Sequence, residues 1–318
     1  MAFTIREREP LAAHTVFRIG GPARFFIEAD TADDVLAALR GAVSSGLPWL
    51  MLGAGSNVLA ADGGFGGCVI RASGGAVVAH GGRLRVDAGV SMARVVGEAL
   101  RFGLRGFEWA IGVPGTVGGS VRGNAGCFGG AMADAVESVS VFNAATDGVE
   151  EWAADACEFS YRSSVFKRRP ELAVLGATLR LEPGDPAEGG RFVRQHTAER
   201  TRTQDIGAAT AGCMFKNIPW GRIGGEPVRR RLIQRHPDLA PFTAAPAIPA
   251  GLLIDRAGLK GFCVGRARVS ERHGNFFVNV GGATAEDILI LTSLAKGAVR
   301  RHFGLLLEEE IQYVGFEQ

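Results

Sequence analysis

The hydrophobic positions change period along the chain, and each change marks an element. Phe17 to Asp30 alternates loosely and is rich in Phe and Ile, which predicts a strand. Thr31 then stands as a cap before Val35, Leu39 and Val43, which share one face at helical spacing. Strands are expected at Pro48 to Leu52, Cys68 to Arg71 and Arg83 to Asp87. Ser91 can cap a second helix carrying Val95, Val96, Ala99 and Leu100, and Gly103 ends it in the manner of a C-terminal glycine.

Gly112 to Gly130 breaks the pattern, because neither helix nor strand easily tolerates so many glycines; it is expected to be shaped loop, at least in part. Val136 to Phe142, Cys157 to Tyr161 and Leu172 to Leu181 then read as strands, and the polar stretch Glu188 to Gln204 as a connecting helix near a domain boundary. Beyond it come a short strand at Ala211 to Phe215, a Pro-rich irregular segment over 217–250, a short helix at Ala250 to Ala257 and a buried strand at Asn275 to Val280. Thr284 opens a long helix with Ile288, Leu291, Ala295 and Val299 on one stripe, Asp287 near its start, and Lys296, Arg300 and Arg301 near its end. Gly304 stops it, and Leu305 to Val314 reads as a closing strand. No internal repeat is evident.

Composition narrows the class. The 318 residues are 47% hydrophobic and 21% charged with 46 glycines, which argues for a folded protein with many tight turns and more than one core. With 35 Lys and Arg against 33 Asp and Glu, no charge excess points to nucleic acid or to a membrane surface. The run Arg229, Arg230, Arg231 is expected to be a solvated helix face. Five cysteines without CxxC spacing argue against a disulfide framework or a zinc site and suit a reducing compartment. The start MAFTIREREP has no apolar signal core, so the expected location is the cytoplasm.

The chemistry concentrates in two glycine segments. LGAGSNVL, from Leu52, directly follows a predicted strand, where backbone N–H groups can converge on a phosphate. By itself it could equally be a tight connection, and it is not a GxGxxG turn with an acidic ribose partner, so a standard dinucleotide fold is disfavoured. GVPGTVGGSVRGNAG, from Gly112, offers a second set of amides with Pro114 as a rigid start, and two such loops could clamp one pyrophosphate. The pair is more specific than either alone.

With these stand GFEWAIGVPGTVGGSVRGNAG at Gly106, YRSSVFK at Tyr161, GCMFKN at Gly212, LLIDRAGLKG at Leu252, SERHGNFFVN at Ser270 and GLLLEEEIQYVG at Gly304. In that order they resemble the UDP-N-acetylenolpyruvoylglucosamine reductase family over roughly residues 14–315. The resemblance implies an α+β protein. A vanillyl-alcohol-oxidase-type (PCMH-type) FAD-binding fold of two subdomains, 1–75 and 76–200, would be followed by a third α/β substrate-binding domain over 201–302 and a C-terminal strand over 303–318. It implies FAD as cofactor, NADPH as co-substrate, UDP-N-acetylglucosamine enolpyruvate as substrate, and a monomer without nucleic-acid or membrane partners.

The same resemblance implies the site residues. Gly53, Ala54, Gly55, Ser56 and Asn57 would contact FAD from the first loop. Gly112, Val113, Pro114, Gly115 and Thr116 would do so from the second, continuing through Gly118, Gly119 and Ser120, with Asn124, Ala125 and Gly126 beside them. Arg162 matches the family's active-site arginine, whose fork suits a carboxylate and a developing enolate, although a lone arginine is ordinarily a surface ion pair. Glu310 matches a C-terminal glutamate supporting the enolic intermediate, with Glu308 and Glu309 read as exposed charges. Cys213 stands where the family usually has a proton-donating serine. An ordinary thiol, with a pKa of about 8.5, can give up and regain a proton near neutral pH, whereas most free cysteines are small buried hydrophobes. Tyr161, Lys216, Asn217 and His273 are the substrate-side candidates, His273 with an equal structural reading.

Beyond Cys213, and Glu309 where a proline is often seen, two departures from the family pattern remain: His14, where an asparagine is common, and the long link 217–250. The leading expectation is NADPH-driven reduction of the enolpyruvyl sugar to UDP-N-acetylmuramate in peptidoglycan synthesis. The alternative is a flavin-binding paralogue that has lost or altered the reaction, which Cys213 and the long link motivate and Arg162 and Glu310 oppose. Nothing in the sequence supports another oxidase of the same flavin fold.

Overall fold

The computed structural model describes residues 3–205 and 207–316. By internal contacts the chain forms two units, one of Met1–Pro10, Pro22–Ser56 and Gly64–Arg202, the other of Leu11–Gly21, Asn57–Gly63 and Thr203–Gln318. Both mix helix and strand, the α+β class expected.

Beside two-stranded pairings of Gly126–Cys127 with Gly130–Ala131 and of Leu104–Arg105 with Glu182–Pro183, the first unit holds two larger sheets. One runs in the order Ile5–Pro10, Pro22–Ala29, Phe65–Ala72, Trp49–Leu52, with the first pair antiparallel and the others parallel. Strand Pro22–Ala29, helix Ala32–Ser44 and strand Trp49–Leu52 make the crossover. Thr31 caps that helix by accepting from the Asp34 amide at 3.1 Å, with Asp33 and Asp34 in the positive first turn. The strand is shorter than the alternation predicted, because Arg18 (φ 55°) and Gly20 (φ 137°) cannot continue an extended chain. The second sheet is antiparallel throughout, in the order Gly148–Ala153, Val136–Asn143, Leu172–Arg180, Arg83–Asp87, Val77–His80.

Helix Ala32–Ser44 joins the two sheets. Its buried Val35, Ala38, Leu39 and Ala42 pack with Ile27 and Ile70 of the first sheet and with Phe142, Ala173 and Leu175 of the second. Each large buried side chain contributes about 1.5–3 kcal/mol, so this seam binds the two sheets firmly. Helix Met92–Arg101, capped by Ser91, buries Met92, Val95, Val96 and Ala99 in the core of the second sheet.

The glycine-dense segment is not all loop. Val117–Gly123 is a short helix, and glycine serves it through close packing: a Cβ on Gly118 would lie 2.8 Å from Ala88 Cβ. The strand expected at Cys157 to Tyr161 is instead the 3-10 turn Ala154–Cys157, after which Glu158 (φ 47°) turns left-handed; Cys157 points into the core, which mimics strand burial in sequence. The polar connecting helix is Pro186–Thr203.

In the second unit helix Ala285–Phe303 buries Ile288, Leu291, Ala295 and Val299 against Leu253, Ile254, Phe215 and Phe277. Thr284 and Asp287 form a reciprocal capping box at its start, and Gly304 (φ 70°) ends it. Asp62 accepts from the amide of Ala285 at 2.9 Å, so a residue far upstream also caps this helix. Strand Val58–Ala60 pairs in parallel with Gln312–Val314, and Phe17, Ile19 and Leu59 join the same core. The closing strand is thus only the end of Leu305 to Val314. The Pro-rich link contains helix Glu226–Arg235, with Pro227 in its first turn where no backbone donor is lost, and the 3-10 turn Pro237–Phe242. No helix among the described residues is long and apolar enough to cross a membrane.

Candidate active site

The turn Gly53–Ser56 leaves the strand Trp49–Leu52, and Gly55 takes φ +62° there. Among the described residues no protein group accepts from the amides of Ala54, Gly55 and Ser56, so all three remain available to an anion. Gly53 lies against Thr116: a Cβ on it would fall 2.3 Å from Thr116 Oγ1. The two glycine segments therefore touch, as the paired loops suggested.

The second segment differs in one respect from the open cradle expected. Gly115 donates to Val113 O at 3.0 Å, Val117 to Val90 O at 2.9 Å, Gly118 to Ala88 O at 2.9 Å and Ser120 to Thr116 O at 2.9 Å, so these amides are already engaged. What the segment offers instead is Ser120 Oγ, which is buried without a hydrogen-bond partner. Free amides on one loop, an orphaned hydroxyl on the other and a glycine contact between them suit a phosphate-bearing cofactor.

Asn124 (φ 42°) ends helix Val117–Gly123 in the left-handed region. Both ends of its buried amide serve the protein: Nδ2 donates to Ser160 O at 2.9 Å, and Oδ1 accepts from the Ala133 amide at 3.0 Å. Asn124 thus fixes the turn that carries the predicted catalytic arginine. In that turn Ser160 and Ser163 exchange backbone bonds at 2.9 and 3.0 Å, and Tyr161 and Arg162 form its tip. Arg162 takes φ 55°, a conformation costing a non-glycine residue on the order of 1–3 kcal/mol and concentrated at functional sites. Its guanidinium lies 5.5 Å from the ring centre of the exposed Tyr161, and its carbonyl accepts from Lys167 Nζ at 2.8 Å.

Cys127, which feels the charge of Arg162, and Arg200, which feels Cys127, escaped the sequence reading. Cys127 Sγ donates to Trp109 O at 2.9 Å; burial raises its pKa, against the pull of Arg200 and Arg162. Burial also lowers the pKa values of Arg122 and Arg200. Arg200 could have been suspected only from its place in a polar helix that burial does not explain.

Cys213 and Glu310 lie in the second unit, where their segments run together. The strand predicted at Ala211 to Phe215 is a set of isolated bridges, because Gly212 (φ +76°) interrupts the extended chain. Cys213 pairs with Phe276, and Phe215 with Glu309. Glu310 N donates to Met214 O at 2.8 Å and Lys216 N to Glu308 O at 2.9 Å, so 213–216 lies antiparallel to 308–310. The carbonyl of Glu310 accepts from Asn57 Nδ2 at 3.2 Å. Asn57 belongs to this unit, whereas Gly53–Ser56 belongs to the first.

Of the substrate-side candidates, Lys216 is paired with Glu308, whose other oxygen accepts from Arg222 at 2.6 Å; the two cations hold the Glu308 carboxyl below its usual range. Asn217 Oδ1 accepts from the Ala250 amide at 3.1 Å, at the start of helix Ala250–Arg256. His273 Nδ1 accepts from the Asn275 amide at 3.3 Å, and the ring packs 4.5 Å from Phe276. Burial, with Lys260 nearby, lowers the pKa of His273.

Comparison with known proteins places this architecture. Residues 23–150 match the FAD binding domain family, and residues 204–314 match the family described as UDP-N-acetylenolpyruvoylglucosamine reductase, C-terminal domain. The class is therefore a flavoprotein with a dedicated C-terminal domain. Relatives named UDP-N-acetylenolpyruvoylglucosamine reductase include those of Syntrophotalea carbinolica, 38% identical over 96% of this chain and 93% of the relative, and Synechococcus sp. strain WH7803, 38% identical over 98% and 94%. The crystal structure of UDP-N-acetylenolpyruvylglucosamine reductase (MurB) from Thermus caldophilus superposes with a TM-score of 0.74 and 31% identity, covering 99% of both chains. The chain belongs to the UDP-N-acetylenolpyruvoylglucosamine reductase family.

Proposed function

We infer that this protein reduces UDP-N-acetylglucosamine enolpyruvate to UDP-N-acetylmuramate, an FAD-dependent, NADPH-driven step of peptidoglycan precursor synthesis. Family membership over nearly the full chain supports the reaction. The observation carrying the site assignment is the backbone pairing of the Cys213 segment with the Glu310 segment.

FAD would be held by the open amides of Ala54–Ser56 and by the Ser120 hydroxyl, with residues 1–75 and 76–200 as its two subdomains. Bound FAD supplies the hydride, drawn from NADPH, that the enolpyruvyl double bond needs. The rest is work for the protein. Hydride addition at C3 leaves an electron pair at C2, conjugated with the carboxylate as an enolate. Arg162 holds that carboxylate with two parallel N–H bonds and stabilises the charge growing on it. Glu310 hydrogen-bonds the enolic form. Cys213 gives its Sγ proton to C2, completing the saturated lactyl ether, and regains a proton from solvent.

Lys216, Asn217 and His273 serve the substrate from a substrate domain over 201–302, which the C-terminal segment 303–318 follows; Tyr161 is the substrate-side residue of subdomain 76–200. The protein acts as a cytoplasmic monomer without nucleic-acid or membrane partners, a reading its near-neutral charge balance supports. Purified protein given NADPH and the enolpyruvyl sugar is expected to form UDP-N-acetylmuramate, identified by mass. A yellow protein with no turnover would instead favour the flavin-binding paralogue.

A further inference from the structure

Asn275 is 1% exposed, the most deeply buried of the asparagines among the buried polar residues. Its Oδ1 accepts from the Phe215 amide at 3.0 Å, and its Nδ2 donates to the Phe215 carbonyl at 2.7 Å. Its own carbonyl accepts from Met214 N at 2.9 Å. Three hydrogen bonds from one residue therefore grip the two residues that follow Cys213.

An asparagine side chain is an uncharged group that donates and accepts at once in peptide-like geometry, so it can stand in for a missing strand neighbour. One is needed here, because the left-handed Gly212 leaves 213–215 outside any regular ladder. Asn275 is itself anchored. Its amide donates to His273 Nδ1, Ser270 Oγ accepts from the amides of Arg272 and His273 at 3.0 Å each, and Phe276 N closes on His273 O at 2.9 Å. Gly274 is in backbone contact with helix Ala250–Arg256, where an added Cβ would lie 2.5 Å from Gly251 O.

We propose that Asn275 is the positioning residue for Cys213, fixing the direction of the thiol by holding both backbone groups of Phe215. The inference rests on the reading of Cys213 as proton donor. Because Glu310 N donates to Met214 O, loosening the clamp also loosens the seat of the carboxylate.

The test uses the FAD-loaded enzyme in anaerobic rapid mixing, following flavin bleaching by NADPH and then flavin re-oxidation by the enolpyruvyl sugar, with FAD content measured per chain. Asn275→Ala is expected to bleach normally and to re-oxidise on the order of 100-fold slower, the scale of a misplacement near 1 Å. Should that variant fail to fold, Asn275→Asp carries the test. Its neutral carboxylic acid still accepts from Phe215 N and donates to Phe215 O, so re-oxidation should recover as pH falls and be lost as the acid ionises, at constant FAD content. Equal slowing of both phases, or an Asn275→Asp re-oxidation rate equal to wild type at every pH, would overturn the inference. Cys213→Ala run in parallel separates the two claims. If it re-oxidises at the wild-type rate, the proton-donor reading fails and takes the inference with it. If it is slow while Asn275→Ala is not, the reading stands and the inference alone fails.

Discussion

Asn57 donates from Nδ2 to the carbonyl of Glu310 at 3.2 Å, and its own carbonyl accepts from Gln312 N at 2.9 Å. The last residue of the GAGSN turn is thereby built into the support of a glutamate 253 positions away. Asn57→Ala removes one net hydrogen bond, worth about 1 kcal/mol, and should lower the urea midpoint accordingly. Turnover per bound flavin should fall as Glu310 loses its brace. FAD loss with unchanged turnover per flavin would mean that Asn57 serves the cofactor alone.

Gly53→Ala would set a methyl group 2.3 Å from Thr116 Oγ1, forcing the hydroxyl to turn or the two loops to part. The expected result is a purified protein with reduced FAD content, read from the ratio of flavin to protein absorbance. Gly123→Ala is the control: it sits in a helix with nothing within 4 Å of the added carbon, and it should retain FAD. Equal FAD content in both variants would remove the paired-loop account.

Arg162→Lys keeps the charge and loses the planar fork. Because Arg162 is at the tip of a tight turn, the fold should tolerate the change, with little movement of the melting temperature. Substrate reduction should fall by roughly 100-fold, as expected when a bidentate contact becomes a point charge and the carboxylate shifts. A lysine variant with wild-type turnover would return Arg162 to an ordinary surface cation.

Acid should destabilise the protein in two stages. Burial lowers the pKa values of His273 and His236, the second also through His302. Histidines of lowered pKa favour the folded state fully above the unfolded value of about 6.5, and that stability is lost as pH falls through their folded values. Glu308, held low by Lys216 and Arg222, contributes above the unfolded carboxyl range and is lost only at lower pH. It is about half exposed, at 48%, so its share is small. Urea midpoints should therefore drop between pH 7 and 5.5, and His273→Gln should flatten that drop; a midpoint independent of pH across this window would contradict the assignment.

The local devices were legible because they depend on neighbouring residues alone. Thr31, Ser91 and the Thr284–Asp287 box cap the helices expected of them, and Gly304 ends the last one. What stayed hidden was built by distant pairing. Nothing local in Val58–Ala60 reveals that its partner is Gln312–Val314, nor that Leu11–Gly21 shares a core with residues beyond 203. Helix Glu226–Arg235 shows in sequence only in Arg229, Arg230 and Arg231, read as a solvated helix face, while Pro227, which its first turn accommodates, and the prolines around it make the segment look irregular; the false strand at Cys157 is suggested by a buried side chain on a turn. The glycine loops and Cys213 could be named from motif order, but the clamp on Cys213 could not. Asn275 reads in sequence as the first residue of a buried strand that in fact spans Phe277–Asn279, and its role shows only once Phe215 is seen to supply both partners of its side chain.

The most direct measurement is the fate of reduced flavin in Cys213→Ala. NADPH should bleach the bound FAD of this variant as in wild type, and the enolpyruvyl sugar should then fail to restore the yellow colour or yield UDP-N-acetylmuramate, while Cys213→Ser keeps measurable product formation. Re-oxidation of Cys213→Ala at the wild-type rate, with product formed, would show that the proton comes from elsewhere.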